Sequence, residues 1–535
     1  MIKPEKLPKS KSSSKKEELL EQRLEQKTGK TALFKHIPEY VLAVIKPLYE
    51  AGFEAYIVGG CVRDILIGRE PKDWDVTTNA TPDQIVALFE KTFYENTYGT
   101  VGVDIKEGTK KKEGEETGTK NEEEFLENTN IIEVTPYRLE TGYSDARHPD
   151  NVQFSTKLED DLKRRDFTVN AIAYDPIKDI LVDLYKGQED LTSKTIRAVG
   201  DPIERFREDG LRLMRAVRFA TELGFTINIE TQEAISGSRE TLGKIAKERV
   251  RDELVKIIMS DNPMIGLYMC QKLGLMQYIV PELEEGLHTK QNQAHSYNVF
   301  EHLLRSLQCA ADKKYILEIR LSALFHDIGK PKSRRFSKEK GDYTFYGHEV
   351  IGAEMAKKIM ERLSFPRKTI DLVVKMVRWH MFFSDTEQIT LSAVRRMIAN
   401  VGQDQIWNLM NLRICDRVGT GRPKENPYRL RKYTAMIEQV LRDPVSVGML
   451  KINGKKLMET LKISPGPKIG LILNALLEEV LEDPNLNTEE FLMKQSLKLY
   501  AVSEKELRLK AESGKKARET KEREELAKIQ KKYFL

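Results

Sequence analysis

Two groups of residues in this 535-residue chain have side chains and spacings suited to chemistry on phosphates. The first lies in Tyr56–Thr78 (YIVGGCVRDILIGREPKDWDVTT), where a short apolar run, Gly59-Gly60, a helical stretch and Asp73-Trp74-Asp75 follow one another. Paired glycines after a strand let backbone N–H groups approach phosphate oxygens, and the next helix points its N-terminal dipole at the same anion. On a strand, residues two apart face one side, so Asp73 and Asp75 project together as a hard-oxygen site for Mg²⁺. Two such ions would activate a primer 3′ hydroxyl and neutralise a departing pyrophosphate. Glu133, set between apolar residues in Ile131–Val134, is a third carboxylate where a neighbouring strand would carry one; an ordinary solvent-facing Glu fits that pattern equally well. The second group is His302, His326-Asp327, His348, His380 and Asp416. Mixed imidazole and carboxylate donors suit Mn, Fe, Ni, Co or Zn better than a purely oxygen-liganded ion, with Mg²⁺ still open. A metal so held lowers the pKa of water enough for attack on a phosphate ester.

Such side chains need scaffolds, and the chain is too long for a single core, so two to four domains are expected. No apolar run reaches the length of a membrane span, and the N-terminus lacks an apolar signal region, so no membrane partner is expected. Cys61, Cys270, Cys309 and Cys415 are widely spaced without a CxxC pair, which suits a reducing cytoplasm. The net charge of +5 is uneven: residues 1–30 and 501–535 each carry +4, leaving −3 for the middle. Any grip on RNA by the body must therefore come from local patches, while the tails read as charged, disordered ends, with RNA contact through phosphate neutralisation the competing reading.

Strands are expected at Ala55–Val58, Trp74–Val76, Val101–Ile105 and Ile131–Tyr137, after a helix from Pro38 to Gly52. Lys106–Asn128 is too polar to fold alone and reads as a disordered insertion between strands. Beyond about residue 200 helical periodicity dominates. The division is then a basic tail over 1–35, an α/β head over 36–200 with its insertion at 106–128, and a helical neck over 201–288. A module over 289–425 holds the histidine group, followed by a helical body over 426–500 and a charged extension over 501–535.

Residues 56–260 resemble the class II tRNA nucleotidyltransferase (CCA-adding enzyme) and bacterial poly(A) polymerase family, of the polymerase β superfamily. The motifs occur in the family's order: GGxVRD with DxD, then Arg164-Arg165-Asp166-Phe167-Thr168-Val169-Asn170-Ala171 (RRDFTxNA). Asp183-Leu184-Tyr185-Lys186-Gly187 follows, with Leu where Pro is usual, then Glu208-Asp209-Gly210-Leu211-Arg212 (EDxxR) and Glu248-Arg249. The resemblance implies a polymerase β-type α/β head, a helical neck and an all-α body. It also implies that Gly59, Gly60, Arg63 and Arg165 hold the triphosphate or ribose, and that Asp209 and Arg212, helped by Arg215 and Arg218, read the base. On one continuous helix, Asp209, Arg212, Arg215 and Arg218 would step round a polar arc opposite Phe206, Leu213, Met214, Val217 and Ala220. An Asp–Arg pair can accept from an exocyclic amino group and donate to ring acceptors, a pattern that cytosine and adenine share. An ordinary intrahelical ion pair is the plainer reading of those two residues alone.

Ala323–Lys330 (ALFHDIGK) resembles the HD superfamily of metal-dependent phosphohydrolases. That resemblance places one metal on His302, His326, Asp327 and Asp416, with His348 and His380 completing a binuclear site as in some HD proteins. Together these features imply an enzyme that adds CCA to tRNA from CTP and ATP without a template and clears phosphate from damaged ends. Gly142–Asp150 resembles the intact flexible loop that CC-only enzymes lack, which leaves A-only or poly(A) addition as the near alternative. A phosphohydrolase with an RNA-binding head is the alternative of another class.

Overall fold

The computed structural model describes residues 34–94, 99–106, 129–142, 151–291, 296–381, 389–421, 425 and 427–503. Both basic tails, the insertion beyond Lys106 and the loop residues 143–150 lie outside them. The chain forms two compact units, one up to Ile279 and one from Val280.

The first unit is built on a seven-stranded sheet. Its strands are β1 (Ala55–Val58), β2 (Asp75–Thr78), β3 (Thr92–Tyr94), β4 (Val101–Lys106), β5 (Thr129–Pro136), β8 (Ala173–Asp175) and β9 (Ile180–Val182), ordered β3-β4-β5-β2-β1-β8-β9. Strands β6 (Arg138–Thr141) and β7 (Asn151–Phe154) pair as a separate hairpin. Only β2 and β5 run parallel in the large sheet; the other neighbours are antiparallel. Strand β5 shows the period-two rule directly: Ile132 and Val134 are buried while Ile131 and Glu133 are exposed. Helix α1 (Glu39–Glu50) packs on β1, β4 and β5 through Val41, Val44, Ile45 and Leu48, an i, i+3, i+4, i+7 stripe with no exposure. Full burial of each contributes about 1.5–3 kcal/mol. The sheet is thereby anchored from one face.

Two local expectations are corrected here. Strand β2 begins at Asp75, and Asp73 lies in the bend before it, with buried Trp74 between them. The polar arc on one helix is also absent. Helix α5 (Pro202–Glu208) stops at Asp209, whose backbone is extended (φ −140°, ψ 106°), and α6 (Arg212–Leu223) starts afresh. A β-carbon at Gly210 would lie 2.9–3.0 Å from Thr241, so the break is locked by close backbone approach. Helix α6 then buries Leu213, Met214, Val217 and Ala220 and ends at Gly224 in the left-handed region, the usual helix stop. Within the same unit, α4 (Leu158–Lys163) precedes the Arg164–Ala171 segment, and α7 (Lys247–Met259) packs on α6.

The second unit is helical. Helices α8 (Val299–Asp312), α9 (Leu317–Phe325), α10 (His348–Arg362), α11 (Arg367–Trp379) and α13 (Ile406–Gly419) form one bundle, in which α8 packs on α9 and α13, and α10 on α11. A contiguous core joins this bundle to α12 (Leu391–Val401), α14 (Tyr428–Val440), α15 (Gly454–Leu461), α16 (Pro467–Glu482) and α17 (Glu489–Tyr500). A hairpin of β10 (Arg335–Ser337) and β11 (Asp342–Thr344) leaves the bundle between α9 and α10.

Candidate active site and metal centre

Parallel pairing sets Asp75 directly opposite Glu133, so two carboxylates from adjacent central strands share one register position. They line a pocket of about 190 Å³ with Val76, Thr100, Thr135, Arg138, Arg164 and Arg165. Two carboxylates and three arginines in one lining match a metal–polyphosphate complex, in which cation and anion need opposite partners. Gly59 makes the approach possible. Its φ of +87° and ψ of −133° suit glycine alone, and a β-carbon would lie 3.0 Å from Arg165 Nη1 and 3.6 Å from Asp75 Oδ2. Gly60 opens helix α2 (Gly60–Leu66).

Arg165 is aimed by Asp161, one turn earlier on α4. Arg165 Nη2 donates to Asp161 Oδ2 at 3.0 Å, and Arg164 donates to Oδ1. Burial opposes the charge on Asp161, but Arg164 and Arg165 outweigh it and hold its pKa down to about 2. Arg63 is mostly buried; its Nη1 donates to Asn170 Oδ1 at 2.7 Å and it pairs with Asp64. Asp209 does not pair with Arg212. Its Oδ1 accepts from the Leu211 N–H and its Oδ2 from Arg249 Nη2 at 2.9 Å. Arg212 pairs with Glu208 at 2.6 Å and donates to the Arg164 carbonyl at 2.8 Å, tying α6 to the Arg164–Ala171 segment. Arg215 pairs with buried Asp166, and Arg218 with Glu253 and Glu222, both stacked near the Phe219 ring. These two arginines sit in packing ion pairs and do not line the pocket.

In the second unit, His302 on α8, His326 and Asp327 after α9, His348 at the start of α10, His380 at the end of α11 and Asp416 on α13 converge. His302 Nε2 lies 2.9 Å from His326 Nε2, 3.1 Å from Asp327 Oδ2 and 3.3 Å from Asp416 Oδ1. Asp327 Oδ1 faces the other pair, 3.1 Å from His348 Nε2 and 3.5 Å from His380 Nε2. Two donor sets therefore share Asp327: His302, His326, Asp327 and Asp416, and Asp327, His348 and His380, all buried. Among the described residues, Asp73, Asp75 and Glu133 form no set this tight. Carbonyls fix three of the rings from behind: Ala323 O on His326 Nδ1, Phe345 O on His348 Nδ1 and Val377 O on His380 Nδ1, at 2.6–2.9 Å. Each ring so held points Nε2 inward, where a bound cation would replace any proton on that nitrogen. Burial opposes charge on His326, yet Asp327 and Asp416 lift its pKa to about 10, so the cluster draws positive charge to its centre. Burial pulls His380 down to about 4 despite Asp327, leaving it a neutral donor. The donor set fits a divalent metal.

Residues 55–197 match the family model "Poly A polymerase head domain", 224–287 "Probable RNA and SrmB- binding site of polymerase A", and 299–417 "HD domain". A CCA-adding enzyme of Ligilactobacillus salivarius is 31% identical over 458 residues, covering 86% of this chain and 96% of that protein. The chain belongs to the CCA-adding enzyme family. A second member, from Geobacillus thermodenitrificans, is 30% identical over 455 residues, 84% of this chain and 95% of that protein. The solved structure of the Bacillus stearothermophilus CCA-adding enzyme in complex with CTP superposes with a TM-score of 0.61 at 27% identity, covering 86% and 96% of the two chains. Among the described residues, no helix of this family member is long and apolar enough to cross a membrane.

Some residues of this CCA-adding enzyme family member that shape the sites were not singled out from its sequence. Asp161 stands three and four residues before Arg164 and Arg165, a readable helical spacing. Lys330, three residues after Asp327, is buried and places Nζ 2.5 Å from Asp327 Oδ2. Arg138 and Thr100 carry no such signal, because strand pairing alone brings them to the pocket. Gly419 is needed where α13 meets α8: a β-carbon would fall 2.1 Å from Ser306 Oγ and 2.9 Å from the His302 carbonyl.

Proposed function

We propose that this chain adds two cytidylates and one adenylate to the 3′ end of tRNA, taking CTP and ATP without a nucleic-acid template. The observation that carries the reading is the Asp75–Glu133 pair in strand register, lining one pocket with Arg164 and Arg165. Asp75, Glu133 and Asp73 from the adjoining bend would hold Mg²⁺, which when bound supplies charge for the entering hydroxyl and the departing pyrophosphate. Arg165, aimed by Asp161, grips the triphosphate, while Gly59 and Gly60 let the backbone approach it. Arg63 orders this turn through Asn170 and Asp64. Asp209, steadied by Arg249, keeps lone pairs for an exocyclic amino group, and Arg212 donates to the base from the start of α6. Arg215 and Arg218 support α6 from the side of Phe219.

The second unit supports a metal-dependent phosphohydrolase working on RNA ends. His302, His326, Asp327 and Asp416 would hold one divalent ion, of Mn, Ni, Co, Fe, Zn or Mg, and His348 and His380 a second beside Asp327. Such an ion supplies an activated water. Four buried cysteines without a disulfide fit a reducing cytoplasm. Alanine at His326 or Asp327 should abolish metal-dependent hydrolysis of a 2′,3′-cyclic phosphate while nucleotide addition persists. Loss of both activities would contradict the two-site reading.

A further inference from the structure

The β10–β11 hairpin interrupts the metal centre in sequence, leaving just after Lys330 and returning at His348. Its surface is unusual in two respects. Phe336 and Tyr346 are 58% and 56% exposed, although neither ring gains by facing water. Between Pro331 and Tyr346 there are five Lys/Arg against two acidic residues, and Arg335 and Lys338 enter no ion pair among the described residues. The rings are held in place by cations. Phe336 opposes Tyr343 across the strands with centroids 5.4 Å apart, Arg334 lies 3.6 Å over Tyr343, and Lys340 Nζ donates to the Tyr346 hydroxyl at 2.7 Å.

Exposed rings interleaved with unpaired cations are what a single strand of nucleic acid needs: faces for bases and charges for phosphates. A protein-binding patch would be expected to be flatter, more apolar and less uniformly charged. The geometry points to the β10–β11 hairpin as a grip for the single-stranded 3′ end of RNA, stacking bases on Phe336 and Tyr346 and neutralising phosphates with Arg335 and Lys338. This rests on the reading of the adjoining centre as a phosphohydrolase of RNA ends. The hairpin then explains how a buried centre selects a polynucleotide end over a small ester. Each ring holds one base, worth about tenfold in affinity.

The test compares full-length wild type with Phe336→Ala, Tyr346→Ala and Arg335→Ala/Lys338→Ala. Two substrates are used at the metal centre: a short unstructured oligoribonucleotide ending in a 2′,3′-cyclic phosphate, and bis(p-nitrophenyl) phosphate. Each ring variant should raise KM for the oligonucleotide about tenfold with little change in kcat, and leave the small diester unaffected. The double cation variant should flatten the dependence of log(1/KM) on log salt by about 0.7 per lost phosphate contact. Unchanged KM in every variant overturns the hairpin inference while the hydrolase reading stands. Failure of wild type on both substrates overturns the hydrolase reading instead, and photocrosslinking of an oligoribonucleotide with a terminal 4-thiouridine then decides the hairpin. Label within residues 335–346 sustains the RNA grip; a hairpin without label assigns the exposed rings to a protein contact and overturns it.

Discussion

Asp75 and Gly59 are where single atoms decide the outcome. Asp75→Asn keeps the shape of β2 but removes a charge that a Mg²⁺ site needs, so nucleotide addition should fall by about 10³-fold or more, the scale of losing a central electrostatic partner. Primer extension on labelled tRNA checks this, and activity within tenfold of wild type would refute the assignment. Gly59→Ala places a β-carbon against Arg165 at a φ of +87°, a conformation costing about 1–3 kcal/mol for any other residue. We expect a fall of about 10²-fold in kcat/KM, with the melting temperature lowered by a few degrees. Asp161 gives a pH signature. Its folded pKa of about 2 lies below the ordinary carboxylate value, so its ionisation stabilises the fold above about pH 4 and loses that effect as pH falls towards 2. The difference in melting temperature between wild type and Asp161→Asn should be widest near neutrality, reflecting about 2 kcal/mol, and should close between pH 4 and pH 2.

At the scale of elements, strand register and helix contact do what side-chain type cannot. Asp75 meets Glu133 because β2 and β5 are parallel neighbours, and Asp416 meets His302 because Gly419 lets α13 approach α8. Gly419→Ala should cost about 1–3 kcal/mol by overpacking and lower the metal content of the purified protein. Adding Ser306→Ala should restore part of both, measured by melting and elemental analysis; no restoration would place the strain elsewhere. The sequence patterns told much here. Strands β1, β4 and β5 fall within two residues of expectation because β1 is a bounded apolar run and β4 and β5 alternate, and all six His and Asp donors converge. What was hidden depended on distant contacts. The break at Asp209 follows from Thr241 crowding Gly210, and the start of β2 at Asp75 follows from its pairing with β1 and β5. The short strands β3, β8 and β9 carry too few residues for a pattern to rise above chance.

At the scale of the whole molecule, the chain joins two units with separate donor sets: one gathers carboxylates of a mixed sheet with arginines from outside it, the other histidines and aspartates inside a helical bundle. Motif order made this division legible, since the family models fall where the motifs do. The identity of the added nucleotides was less so, because the residues proposed to read the base, Asp209 and Arg212, are separated by a helix break and pair with other residues. The most direct test offers Mg²⁺, CTP and ATP to the purified protein with tRNA transcripts ending before CCA, after the first C, and after CC. The expected products are complete CCA ends on all three, read by sequencing. Addition of a single A to the CC-ended transcript alone, long A tracts, or no extension of any transcript would contradict the account.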